Sequence, residues 1–205
     1  MNARIPERPL RDMMADEPTP PPPIIPGVAR ALSPLVRRIA ASGDGDEPGP
    51  NTYLVGIDEI AVVDPGPDDV DHIASIVGCG GDRIVWLVVL HPTGAEAITS
   101  LKERTGAEVV AAPGVDVDAD IVLAEGKTLL GTEFRLTAIE PADDRGRLCL
   151  VLEEERLLFT GNWLDVESPD RVETVAKFGR YRLKSIAPST GQVIDNPKGA
   201  FEDAR

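Results

Sequence analysis

Histidine is scarce in this chain. Its 205 residues contain two, His72 and His91, so a metal centre built on several imidazoles is excluded by count alone. Cysteine is as rare: Cys79 and Cys149 make no disulfide framework, which predicts two free, buried thiols and a cytoplasmic setting. No apolar run approaches the roughly 20 residues of a membrane helix, and the N-terminus lacks the apolar core of a secretory signal. Also missing are a Gly-x-Ser-x-Gly elbow, a Walker loop, a Cys-x-x-Cys pair and a Gly-rich dinucleotide fingerprint. A Ser/His/Asp triad through His91 stays open, but no serine is singled out.

Positive charge is in short supply too. Twenty-one basic residues face 35 acidic ones, for a net charge of −14. A surface so acidic repels phosphate backbones, so nucleic-acid binding is disfavoured. What is present, 42% hydrophobic and 27% charged residues, suits one soluble domain with a sizeable core. Residues 1–26, rich in proline around Pro18-Thr19-Pro20-Pro21-Pro22-Pro23, predict a disordered arm, leaving 27–205 as a single domain.

The chain is organised around residues 82–106. The apolar run 84–90 predicts a strand buried on both faces, followed by the polar loop His91-Pro92-Thr93-Gly94. Ala97, Ile98 and Leu101 then fall at helix spacing, and Thr105-Gly106 ends that helix with a left-handed cap. His91 therefore stands where a buried strand opens into a loop, the usual place for an α/β active site.

Upstream, 28–41 predicts a first strand with Leu35, Val36 and Ile39 as its apolar residues, and 42–50 a breaker. Asn51-Thr52-Tyr53-Leu54-Val55-Gly56 and 59–66 predict a hairpin about Ile57-Asp58. Asp64 lies at the end of that hairpin, either facing a cleft or capping the next helix. Residues 68–77 predict an amphipathic helix with Val70, Ile73, Ile76 and Val77 on one side and His72 as a surface residue. Short strands follow at 108–112, 121–123, 127–130 and 133–139, then a hairpin of 147–152 with 156–161, a helix over 171–186 and a loop at 187–191.

These segments carry a family resemblance. NTYLVG with AVVDPGP, the strand-His-loop-helix ending in LKERTG, and RLCLVLEEERLLFTGNW resemble the metallo-β-lactamase superfamily, in its glyoxalase-II-like and lactamase-B-like hydrolase branch. The resemblance implies an α/β fold, the metallo-β-lactamase-like αββα four-layer sandwich. It also implies a site of two metals, usually zinc, held by five His and two Asp, with a bridging hydroxide as nucleophile.

The ligands have been rewritten. The family's His-x-His-x-Asp-His stands here as His91-Pro92-Thr93-Gly94-Ala95-Glu96, so only His91 matches. Asp143 occupies a ligand-His position in Pro141-Ala142-Asp143-Asp144; Asn162 replaces the bridging Asp, and Thr190 the last His. An amide carries no charge and ligates zinc poorly. The expected remnant cleft is thus Asp64, His91, Asp143, Asp144, Asn162 and Thr190, with no catalytic set and no resident cofactor. A weak mononuclear divalent site from His91, Asp143 and Asp144 is the alternative. In the leading expectation His91 pairs with Asp143, and Arg145 and Arg147 supply the charge a metal once supplied.

The functional expectation is a non-hydrolytic pseudoenzyme that binds a small molecule or a protein, of unspecified oligomeric state, with no nucleic acid and no membrane. Its rival is an ester or thioester hydrolase with one weak metal or none.

Overall fold

The computed structural model describes residues 21–45, 47–92, 95–142, 146–167 and 170–203. Among the described residues, twelve strands form two sheets. The first sheet takes β1 (Arg30–Ala31), β2 (Val36–Ser42), β3 (Pro48–Val55), β4 (Ile60–Val63), β5 (Ile84–Val89), β6 (Glu108–Ala111) and β7 (Ile121–Val122) in chain order. The second runs β12 (Ser185–Pro188), β11 (Leu157–Gly161), β10 (Cys149–Leu152), β9 (Arg135–Ile139), β8 (Thr128–Leu130). Helices α1 (Val70–Gly80) and α2 (Ile98–Thr105) cover the first sheet; α3 (Arg171–Phe178) and α4 (Pro197–Asp203) cover the second.

Side-chain alternation builds the four layers. Along β4, Ala61 and Val63 point between the sheets, where Val36, Val88, Leu136, Leu150 and Phe159 meet them. Ile60 and Val62 point the other way and join Leu54, Leu87 and Val89 against Ile73 and Ile76 of α1 and Ile98 and Leu101 of α2. On the far side Val151 and Leu158 meet Trp163, Phe178 and Phe201. Strand β5 has helices on one face and a second sheet on the other, hence its unbroken apolar run. The expected αββα sandwich is the observed architecture.

Where the chain stops pairing antiparallel decides where a cleft can form. Strands β1 to β4 are antiparallel, whereas β4, β5, β6 and β7 are parallel, each joined by a crossover. The C-terminal ends of β4 and β5 therefore lie side by side and carry Asp64 and His91 to one rim.

Four local readings change. The stretch 28–41 is two strands, because the Ser33 hydroxyl accepts the amides of Leu35 and Val36 and turns the chain at Pro34. The 42–50 breaker is shorter than its composition suggests, since Pro48 already pairs with Ser42. The helix read over 171–186 ends at Phe178, before Gly179, a poor helix former. Ser185–Pro188 is instead a strand parallel to β11. The arm expected over 1–26 is described only from residue 21. Residues 21–26 hold no helix or strand, yet the Pro22 carbonyl accepts Gln192 Nε2 at 2.8 Å.

Candidate functional site

At that rim lies a cleft of about 290 Å³ that includes Asp64, His91, Asn162 and Thr190 in its walls, with Asn51 and Ser189 beside them. Asp64 is its most constrained member. It has left-handed backbone (φ 49°), a region costly for a side chain with a Cβ. Several bonds hold it there. The Asp64 amide donates to the Val88 carbonyl at 2.9 Å, and Oδ1 accepts the Leu90 amide at 3.0 Å. The Thr52 hydroxyl donates to the Asp64 carbonyl at 2.9 Å.

This turn leaves Oδ2 facing His91 Nε2 at 3.5 Å, with both residues buried. Burial pulls the His91 imidazole toward the neutral form, but the Asp64 carboxylate outweighs it. With Asp165 adding to Asp64 and Arg147 opposing, the net direction is upward from the ordinary value. Gly161 makes the pair possible. Its φ is +49°, and a Cβ there would stand 2.8 Å from His91 Cδ2 and 3.4 Å from Asp64 Oδ2.

The far wall is the loop after β12. Asn51 Nδ2 donates to the Pro188 and Gly191 carbonyls at 3.1 and 2.9 Å, and the Tyr53 hydroxyl donates to Pro188 at 2.6 Å. Ser189 Oγ donates to Asp165 Oδ2 at 2.7 Å, and Ser189 N to the Gly161 carbonyl at 3.1 Å. Thr190 is exposed at the lip. Asn162 is half-buried, with an Oδ1 that is shut from solvent and has no hydrogen-bond partner among the described residues.

Of the residues singled out in sequence, the structure brings together Asp64, His91, Asn162 and Thr190. Asp143, Asp144 and Arg145 lie outside the described residues. The carboxylate that faces His91 among the described ones is Asp64.

Two expectations are overturned. Asp64 does not cap α1: Asp69 does, its Oδ1 accepting the amides of Asp71 and His72 at 3.1 and 2.8 Å. Nor is His72 a surface residue; it is 2% exposed. Its Nε2 lies 2.9 Å from Thr52 Oγ1 and 3.1 Å from the Pro65 carbonyl. Thr52 spends its one hydroxyl proton on Asp64, so His72 Nε2 carries the hydrogen and donates. The protonated ring would leave Nδ1 a buried donor with no acceptor among the described residues, and burial holds His72 below its ordinary value. Thr52 and His72 thus brace the Asp64–Pro65 turn from behind. Sequence reasoning also missed the roles of Asn51, Asp165 and Ser189, although Asn51 opens the NTYLVG segment and Ser189 adjoins Thr190.

The described donors do not fit the family's dinuclear centre. Among the described residues no group of three or more His, Cys, Asp or Glu side chains could hold a metal ion. His91 Nε2 faces a carboxylate of its own chain, and the Asn162 amide is neutral. The mononuclear alternative draws on Asp143 and Asp144, outside the described residues.

No protein-family model matches the chain. A curated relative, the atrochrysone carboxyl ACP thioesterase of Aspergillus chevalieri, is 28% identical over 161 residues. The match covers 68% of this chain and 48% of the relative, about half its length. Among solved structures the chain is similar to rubredoxin oxygen:oxidoreductase from Desulfovibrio gigas, with TM-score 0.73 and 12% identity, covering 86% of this chain and 60% of that one. It is similar to a metallo-β-lactamase from Pontibacter korlensis at TM-score 0.69 and 14% identity, covering 85% and 95%. A metallo-β-lactamase family protein from Thermus thermophilus superposes at TM-score 0.68 with 15% identity, covering 84% and 79%. The two sheets, their flanking helices and these superpositions agree: the chain has the metallo-β-lactamase fold.

Proposed function

We propose that this is a non-hydrolytic metallo-β-lactamase-fold protein whose rim cleft binds a small molecule or a protein partner. The observation that carries the reading is the inward pairing of His91 with Asp64 opposite a neutral Asn162. The one imidazole at the cleft is committed to holding the fold, and the position of the bridging carboxylate carries no charge. The described donor set does not neutralise two cations, so it supplies no dinuclear centre to lower the pKa of a hydroxide nucleophile. The acidic surface argues against a nucleic-acid partner.

The second reading, an ester or thioester hydrolase, draws on the 28% identity to a protein named as a thioesterase. A thiol-release assay separates the two. Full-length protein is given short- and medium-chain acyl thioesters, with and without added zinc or iron. We expect no release above the protein-free blank. Turnover that a chelator abolishes would replace the binding reading with the weak-metal hydrolase, and chelator-resistant turnover with a metal-free one.

A further inference from the structure

A second cavity, of about 280 Å³, lies between the N-terminal segment and β2. It is lined by Ile24, Ile25, Val28, Arg30 and Arg38 among others. Ile25 and Val28 are 58% and 52% exposed, so the apolar part of its wall is open to solvent.

Its charged part is unusual. Arg30 and Arg38 are directly opposed across the β1–β2 ladder, which puts two guanidinium side chains on one face. Like charges at that spacing repel. Arg38 is 2% exposed, and its side-chain hydrogen bonds among the described residues run from Nη1 to the Gly191 carbonyl and Gln192 Oε1, at 3.2 and 3.1 Å. Both acceptors are neutral, and Arg38 forms no ion pair among the described residues. A buried guanidinium is ordinarily matched by a carboxylate. Carboxylates are plentiful elsewhere in this chain of net charge −14, yet residues 18–43 hold three arginines and no acid.

The unused donors have the right shape. Arginine offers five N–H groups, and Nε with one Nη makes a fork that fits a carboxylate bidentately. Arg38 spends only Nη1 on the described residues, which leaves the Nε–Nη2 edge without an acceptor among them. The second guanidinium and the apolar residues line the same cavity as Arg38.

We propose that this cavity binds the carboxylate of a small amphiphilic acid, with the carboxylate between Arg38 and Arg30 and the apolar part against Ile24, Ile25 and Val28. The ligand supplies the counter-charge that Arg38 lacks among the described residues. Such binding is independent of how the rim cleft functions.

The test is a methyl-resolved NMR titration of the full-length chain with octanoate, and with octanamide as its uncharged counterpart. We expect saturable shifts at the Ile24, Ile25 and Val28 methyls, with octanoate binding about tenfold tighter than octanamide, as a charge-assisted contact requires. Because Arg38→Gln would also release the Gly191–Gln192 loop, the variant to use is Arg30→Gln at the exposed position. It should weaken octanoate while leaving octanamide and the thermal midpoint unchanged. Equal binding of acid and amide, or no saturable shift, would overturn the proposal. So would shifts confined to residues around His91, which would place the acid in the rim cleft.

Discussion

The two histidines have opposite electrostatic surroundings, and that gives a test at the scale of single groups. His91 is drawn up from its ordinary value by Asp64, over the opposing effect of burial, while His72 is pushed down by burial with no acceptor for a second proton among the described residues. The signs follow by linkage. The His91 contribution to stability is complete below the unfolded value of about 6.5 and is lost as pH rises through the folded value. The His72 contribution is complete above about 6.5 and is lost as pH falls toward its depressed folded value. In an NMR pH titration His91 should therefore titrate later than His72 as pH rises, and Asp64→Asn should bring the His91 midpoint down while leaving His72 in place. A His91 midpoint below that of His72, or one indifferent to Asp64→Asn, would show that the pair does not exist in solution. From sequence, His91 was legible because a buried strand ended at it. His72 was not, because helix spacing predicts which side is apolar but not that a histidine beside it will meet Thr52 and Pro65. Asp64 was placed at the strand end, but its left-handed backbone, which turns the carboxylate to His91 and away from α1, is a tertiary outcome.

At the scale of elements, the strand that delivers His91 should be the most costly to disturb. Leu87 is fully buried in the cluster between β5 and the helices, beside Leu54, Val62, Ile76 and Leu101. Leu87→Ala removes apolar contacts and leaves a space that close-packed neighbours refill only in part, so it should cost about 2–5 kcal/mol in chemical denaturation. A loss well under about 1 kcal/mol would mean that β5 is not packed between two layers. Leu54, Val62, Val89 and Phe159 are buried as well. The strands next to strong turn signals were the readable ones: the hairpin at Ile57-Asp58, and Gly106 in left-handed conformation at the end of α2. β12 was read as the end of a helix and the start of a loop because Ser185–Pro188 is short and the strand it pairs with, β11, is supplied from elsewhere in the chain. Ile186 is buried through that pairing, which no local periodicity encodes.

At the scale of the molecule, the sandwich sets the cleft at one rim whatever the identity of the side chains there. Parallel pairing of β4 with β5 places Asp64 and His91 together, and parallel pairing of β11 with β12 does the same for Asn162 and the Ser189–Thr190 loop. This is why the fold was legible from three hairpin and loop segments, while the chemistry of the rim was not: the scaffold specifies where a side chain stands, not which one stands there. We propose that this rim does not hold a dinuclear metal centre. It is tested most directly by elemental analysis of full-length protein produced in zinc- and iron-supplemented medium and purified without chelators. Metal far below one ion per chain is expected; one or two tightly retained ions per chain would contradict the proposal.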